Sequence, residues 1–96
     1  MATITYVHQG QKTPDQGGFW VTPDAVDQHV KTTYIDTGMM TEVTENSVDF
    51  KTKTVIQTFR DEAAKAVFLA DPILLQNAEN RKAFNAAQSV TDQVTL

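Results

Sequence analysis

The chain has 96 residues and 41% hydrophobic residues, which indicates one small globular domain, residues 1–96, and excludes a globally disordered chain. Its net charge of −4 and scattered basic residues argue against a nucleic-acid partner, because such binding needs a concentrated basic surface. The absence of cysteine excludes disulfides, thiolate metal ligands and a cysteine nucleophile.

The first part of the chain predicts a strand, a loop and a helix. Residues 3–8, TITYVH, alternate β-branched and aromatic side chains in the manner of a strand. Residues 9–18 are polar and rich in Gly and Pro, which predicts a flexible loop. A helix is expected from about residue 23 to residue 36, because Thr22 is a suitable cap and Pro23 suits the first helical position.

A hairpin and a second helix are predicted next. Residues 39–45 and 48–59 have the β-branched composition of strands, with a turn between them. Asp61 follows the second strand at once and has the side chain of a good N-cap, with Glu62 suited to the positive end of the helix dipole. We therefore expect a strand that leads directly into a helix.

That second helix is expected to be broken. Asp71 precedes Pro72, and a residue before proline avoids helical geometry. A further helical segment is predicted from Pro72 to about Ala87, and the apolar alternation of residues 89–96 predicts a final strand. The element order is therefore β-α-β-β-α-β.

This order resembles the ferredoxin-like α+β sandwich and, within it, the dimeric α+β barrel group that includes antibiotic-biosynthesis-type monooxygenases. The resemblance covers residues 3–8 and 19–96 and implies a four-stranded antiparallel sheet with helices on one face. The segments TFRDEAAKAVFLADP and RKAFNAA also resemble in style the short accessory proteins of tailed phages.

Three residues are candidates for a small-molecule pocket. In the monooxygenase-like group, aromatic, histidine and asparagine side chains bind an aromatic substrate in a cleft, and Trp20, His29 and Tyr34 supply comparable side chains here. The simpler interpretation is core packing, because Tyr34 continues an apolar helix stripe. The chain has two histidines and no catalytic motif, so we expect no metal, no cofactor and no catalytic residue.

We favour a non-enzymatic interaction protein over an enzyme. A sheet with helices on one face leaves the other face open, and covering it with a second copy would complete the core. The expected interface residues are Met39, Val43, Val55 and Phe59. The expected partners are a second copy and a partner protein, in the manner of a phage accessory or host-modulating protein. The alternative is a small-molecule-binding barrel, with monooxygenase-like activity as one form of it.

The expected location is the cytoplasm, without a membrane partner. No apolar run approaches the length of a membrane-spanning helix. The first residues show neither the basic start nor the apolar segment of a signal peptide.

Overall fold

The computed structural model describes residues 2–12 and 16–96. The fold is α+β, with a four-stranded antiparallel sheet and three helices, as the sequence predicts. Among these residues every helix is too short or too polar to cross a bilayer. The elements are β1 Thr3–Gln9, α1 Asp24–Val30, β2 Met40–Asn46, β3 Thr52–Phe59, α2 Glu62–Leu69, α3 Pro72–Ala87 and β4 Thr91–Thr95.

The sheet has the strand order β2-β3-β1-β4, and every neighbouring pair is antiparallel. Because successive side chains of a strand point to opposite faces, the register assigns each strand residue to one of two faces. The helix-facing side carries Ile4, Tyr6, His8, Met40, Glu42, Thr44, Asn46, Lys53, Val55, Gln57, Phe59, Asp92 and Val94. The open face carries Thr3, Thr5, Val7, Gln9, Thr41, Val43, Glu45, Thr52, Thr54, Ile56, Thr58, Thr91, Gln93 and Thr95, none of which is buried.

The core lies at one end of the helix-facing side. Ile4 is 0% exposed and Phe59 is 3% exposed, and both belong to one buried cluster with side chains of the helices. The ring of Phe68 on α2 packs edge-on against Phe59 at a centroid distance of 5.1 Å and against Tyr34 at 5.0 Å. These contacts attach the helices to the sheet through aromatic rings.

Two aspartates begin the second and third helices. The Asp61 carboxylate accepts a hydrogen bond from the Ala64 N–H at 2.8 Å, which confirms Asp61 as the predicted cap of α2. Asp71 caps α3 by accepting from the Ile73 N–H at 3.0 Å, with Pro72 in the first turn. The helical segment therefore breaks at Asp71-Pro72, as the sequence predicts.

Three local predictions were wrong. Thr22 does not cap α1, because the helix begins at Asp24 after Pro23 with no side-chain cap, and it continues as a π-helical segment, Lys31–Ile35. Residues 48–51 form the hairpin turn, in which Phe50 has a φ of 59°, so β3 begins four residues later than expected.

The third error concerns the start of the predicted loop. Gln9 belongs to β1, and the Gly10 N–H donates to the Lys51 carbonyl at 2.9 Å. A Cβ at Gly10 would lie 2.9 Å from Cγ2 of Val90, so this position has no room for a side chain. Residues 13–15 lie outside the described residues, and the flexibility of the loop stays a prediction.

Replacing Asp61 by alanine should lower the midpoint of thermal unfolding by several degrees, because α2 loses the acceptor for its Ala64 N–H. The matched control is Asp36→Ala, which removes an exposed carboxylate that pairs only with Lys31. A midpoint for Asp61→Ala equal to that of the control would show that the cap does not stabilise the fold.

Candidate functional site

A cleft of about 630 Å³ lies between the helix-facing side of the sheet and the three helices. It is open to solvent along one side. Its floor includes Tyr6, His8, Lys53, Val55 and Gln57. The apolar side chains around it are Phe19, Trp20, Val26, Val30, Phe68, Leu69, Leu74, Leu75, Ala78, Val94 and Leu96. The cleft exists because the aromatic core fills only one end of the space between the sheet and the helices.

A short chain of hydrogen bonds crosses the middle of the cleft floor. The Tyr6 hydroxyl donates to Oε1 of Gln57 at 3.0 Å, and Nε2 of Gln57 donates to the Glu42 carboxylate at 2.8 Å. Burial raises the pKa of Tyr6 to about 12, and the nearby Arg81 charge lowers it by less. The Tyr6 hydroxyl is therefore protonated at neutral pH and acts as a hydrogen-bond donor.

A buried charged cluster lies at the opposite end of the cleft from the aromatic core. Nε of Arg81 donates to Oδ2 of Asp92 at 3.0 Å, and Nδ2 of Asn85 donates to the same oxygen at 3.2 Å. The guanidinium of Arg81 also lies over the Tyr6 ring, 5.2 Å from its centroid. The side chains of Arg81 and Asp92 are only 11% and 10% exposed. Separating such a pair would leave a buried charge without a partner, so both side chains are held in place.

Two pKa values in this cluster are lowered. Burial opposes ionisation of Asp92, but the hydrogen bond and charge of Arg81 outweigh it and hold the pKa of that carboxyl below its usual range. Burial lowers the pKa of His8, although its Nε2 lies 3.3 Å from Oδ1 of Asp92. Arg81 and Lys53 lower it further by repulsion. His8 is therefore neutral in the folded protein at neutral pH.

The free energy of unfolding should decrease on acidification below about pH 7, because the unfolded chain binds a proton at His8 near the ordinary pKa of histidine and the folded chain does so only at lower pH. The loss begins near the ordinary pKa of histidine and continues down to the folded pKa. Asp92 adds a loss of the same sign at lower pH, below about 4.

Urea unfolding at several pH values tests this dependence. His8→Gln should flatten the dependence of stability on pH below about pH 7, whereas Gln9→Ala, at the exposed neighbouring position of β1, should keep it. If stability depends on pH in the same way in His8→Gln, then His8 does not cause the loss on acidification.

The three candidate pocket residues do not form one site. Trp20 lines the cleft, whereas His29 and Tyr34 do not. Both of the latter contact Asp71 instead: its Oδ2 lies 2.6 Å from the His29 Nε2 and 2.6 Å from the Tyr34 hydroxyl. Burial opposes ionisation of Asp71, but these two hydrogen bonds lower its pKa overall. Burial and the Asp71 contact raise the pKa of Tyr34. This second cluster connects α1, the π-helical segment and the start of α3.

The four candidate interface residues lie in different environments. Phe59 is buried in the core, so the expectation that it lies on the open face was wrong. Met39 packs partly buried against the same core, and Val55 lies on the cleft floor. Val43 alone among the four lies on the open face, where it is 56% exposed. For β3, the helices cover the face that carries Val55 and Phe59, which was expected to be open.

The polar residues of the cleft were not among the site residues predicted from the sequence. Tyr6 and His8 share a face of the predicted first strand, and that alternation was a usable signal. Arg81 and Asn85 stand four residues apart on α3, the spacing of neighbours on one helix face. Their common partner, Asp92, lies on another element, and nothing in the sequence indicates that contact.

Within residues 2–12 and 16–96, no group of three His, Cys, Asp or Glu side chains is placed to hold a metal ion. The two histidines instead face one aspartate each, His8 with Asp92 and His29 with Asp71. No protein-family model, curated protein or solved structure matches this chain.

Proposed function

We propose that this chain is a binding protein that holds a small amphipathic molecule in the cleft. The cleft carries this proposal: its volume of about 630 Å³ falls within the range of about 300–1,000 Å³ typical of small-molecule sites. Such sites combine apolar walls with a few converging polar groups. Here most of the apolar walls belong to the three helices and to the segment before α1, and polar groups converge both from the sheet, such as Tyr6 and Gln57, and from α3, such as Asn77.

Three buried polar atoms without a hydrogen-bond partner support a ligand at the cleft. They are Nε2 of His8, Nε1 of Trp20 and Oδ1 of Asn77, which lack a hydrogen-bond partner among the described residues and belong to residues that line the cleft. Buried polar atoms in native proteins nearly always have a partner, either protein or ordered water. A small molecule with a polar group, alone or through a water molecule, would supply those partners.

The proposal assigns binding without a chemical step. Hydrogen bonds connect Tyr6 to Gln57 and Gln57 to Glu42. The raised pKa of Tyr6 keeps its hydroxyl protonated, so it does not act as a base at neutral pH. Asp92 is neutralised by Arg81. These groups are suited to orienting a ligand.

The test uses N-phenyl-1-naphthylamine, an uncharged aromatic probe, and the fluorescence of Trp20, which is the one tryptophan of the chain. Ala78 lines the cleft from α3, so Ala78→Phe should fill it and weaken binding by about tenfold or more. Ala83→Phe places the same side chain at an exposed position of α3 and should leave binding unchanged. Absence of saturable binding, or equal binding by both variants, would refute the proposal.

Self-association is a second candidate function, and the open face supports it. Val43 is 56% exposed there, Val7 and Ile56 are partly exposed, and Val43 lies directly opposite Ile56 across β2 and β3. A second copy seated on this face would cover these side chains. If the chain acts as a phage accessory protein, its partner protein would bind the same surface. Light scattering should then report twice the chain mass, and Val43→Lys should restore a monomer. A monomer at every concentration would exclude this candidate.

We propose further that the fold is of the ferredoxin-like type, as in dimeric α+β barrels. The sheet order supports this: β3 lies between β1 and β2, and β1 lies between β3 and β4, so that both β-α-β units are split by one strand. We also propose a cytoplasmic location. The cysteine-free sequence supports it, because it needs no oxidising compartment to form disulfides.

A further inference from the structure

We infer that the ligand of this cleft is an amphipathic anion whose acidic group pairs with Lys53. The inference rests on the proposed function and adds the charge and orientation of the ligand. The whole chain is acidic, with a net charge of −4, whereas the charges that line the cleft balance: Lys53 and Lys82 are offset by Asp27 and Glu42, and Arg81 is paired with Asp92. The cleft is therefore less acidic than the chain as a whole.

Lys53 is the basic residue best placed to bind an acidic group. It is half-buried on the cleft floor, beside His8 in the sheet register. Its ammonium forms no ion pair with any carboxylate of residues 2–12 and 16–96. A half-buried and unpaired ammonium is an effective partner for an anion, because water screens the pair less there than at the surface.

The neighbouring charges fix the position of the acidic group. Arg81 is already paired with Asp92, so its charge is balanced and it offers no free fork for a second carboxylate. Lys82 is exposed at the edge of the cleft. Glu42 is bonded to Gln57, which lies four residues from Lys53 along β3, about 13 Å away at the usual rise of a strand. Glu42 repels an anion at its own end of the cleft.

The apolar part of the ligand then lies over the middle of the floor. Val55 is two residues from Lys53 on the same face of β3, with Val94 in the same row of the sheet. Leu75 borders the cleft from α3 and is 53% exposed. Contact with a hydrocarbon or aromatic group would remove these side chains from water.

The test compares two probes of similar shape. 1-Anilinonaphthalene-8-sulfonate carries an anionic group, and N-phenyl-1-naphthylamine is its uncharged counterpart. Lys53→Gln should weaken binding of the sulfonate by about tenfold, because a charge-assisted hydrogen bond is lost, and should leave binding of the uncharged probe unchanged. The control is Lys51→Gln, which removes an exposed lysine from the adjoining turn and should affect neither probe.

A second measurement uses the unaltered protein, so the test does not depend on the folding of a variant. Added sodium chloride should weaken binding of the sulfonate and leave binding of the uncharged probe unchanged. If both probes bind with equal affinity and respond equally to salt and to Lys53→Gln, the inference is overturned while the proposed binding function stands. If neither probe binds, both are overturned.

Discussion

Replacing Asp92 by alanine should lower the free energy of unfolding by about 3–5 kcal/mol, because it leaves a buried guanidinium without its carboxylate. Arg81 would lose its ion pair, and Asn85, which is 0% exposed, would lose the acceptor of its side-chain N–H. His8 would lose the carboxylate that faces its Nε2. One substitution therefore disrupts three elements, β1, α3 and β4.

The matched control for this substitution is Asp36→Ala. Asp36 also pairs with a cation, Lys31 at 3.0 Å, but its side chain is 50% exposed, and exposed pairs contribute about 0–1 kcal/mol. Urea unfolding of both variants compares the stability lost with a buried ion pair with the stability lost with an exposed one. Equal losses would show that the Asp92 cluster does not depend on its burial.

Phe59→Ala should lower the free energy of unfolding by about 3–5 kcal/mol, the usual loss when a buried phenylalanine is truncated. Its ring contacts Phe68 on α2, so the cavity would open between the sheet and that helix. Phe50 is the control residue, since it is 54% exposed in the hairpin turn. Phe50→Ala should change the free energy of unfolding by no more than about 0.5 kcal/mol.

This pair of variants also decides how Phe59 contributes to the protein. A stability loss confined to Phe59→Ala assigns the residue to the core. A fully stable Phe59→Ala that loses self-association by light scattering would instead support the interface role expected from the sequence.

The sequence predicted the elements because their signals are local. Asp61 as a cap and the break at Asp71-Pro72 depend on adjacent residues alone, and both were confirmed. Val55 and Phe59 were expected together on one face of the sheet, and the register places them on the same face. The helix predicted from about residue 23 to residue 36 covers α1 together with the π-helical segment, and the change to π-helical geometry has no simple sequence signal.

The side of the sheet that the helices cover was not readable from the strands. The opposite face of β3 carries Thr54, Ile56 and Thr58. All three side chains are β-branched and favour strands, and the hydroxyl groups of the two threonines also tolerate water. Which face becomes the core depends on how the connections pass over the sheet, and that is a property of the whole chain. The face of β3 that carries Val55 and Phe59 was expected to be open, and Phe59 was misplaced as a result.

The candidate site depended even more on long-range contacts. His29 and Tyr34 reach Asp71 across 42 and 37 residues, and His8 reaches Asp92 across most of the chain. Composition and spacing carry no information about such pairs. The cleft itself is a space that the core leaves unfilled, and no residue type indicates it.

The most direct test of the binding proposal is a side-chain methyl NMR titration with N-phenyl-1-naphthylamine. Val55 and Ile56 are adjacent along β3 but lie on opposite faces of the sheet, and Leu75 and Val43 extend the comparison to the cleft and the open face. The account predicts that the methyl signals of Val55 and Leu75 shift with saturation while those of Ile56 and Val43 stay in place. Shifts confined to Ile56 and Val43, or no shifts at all, would contradict it.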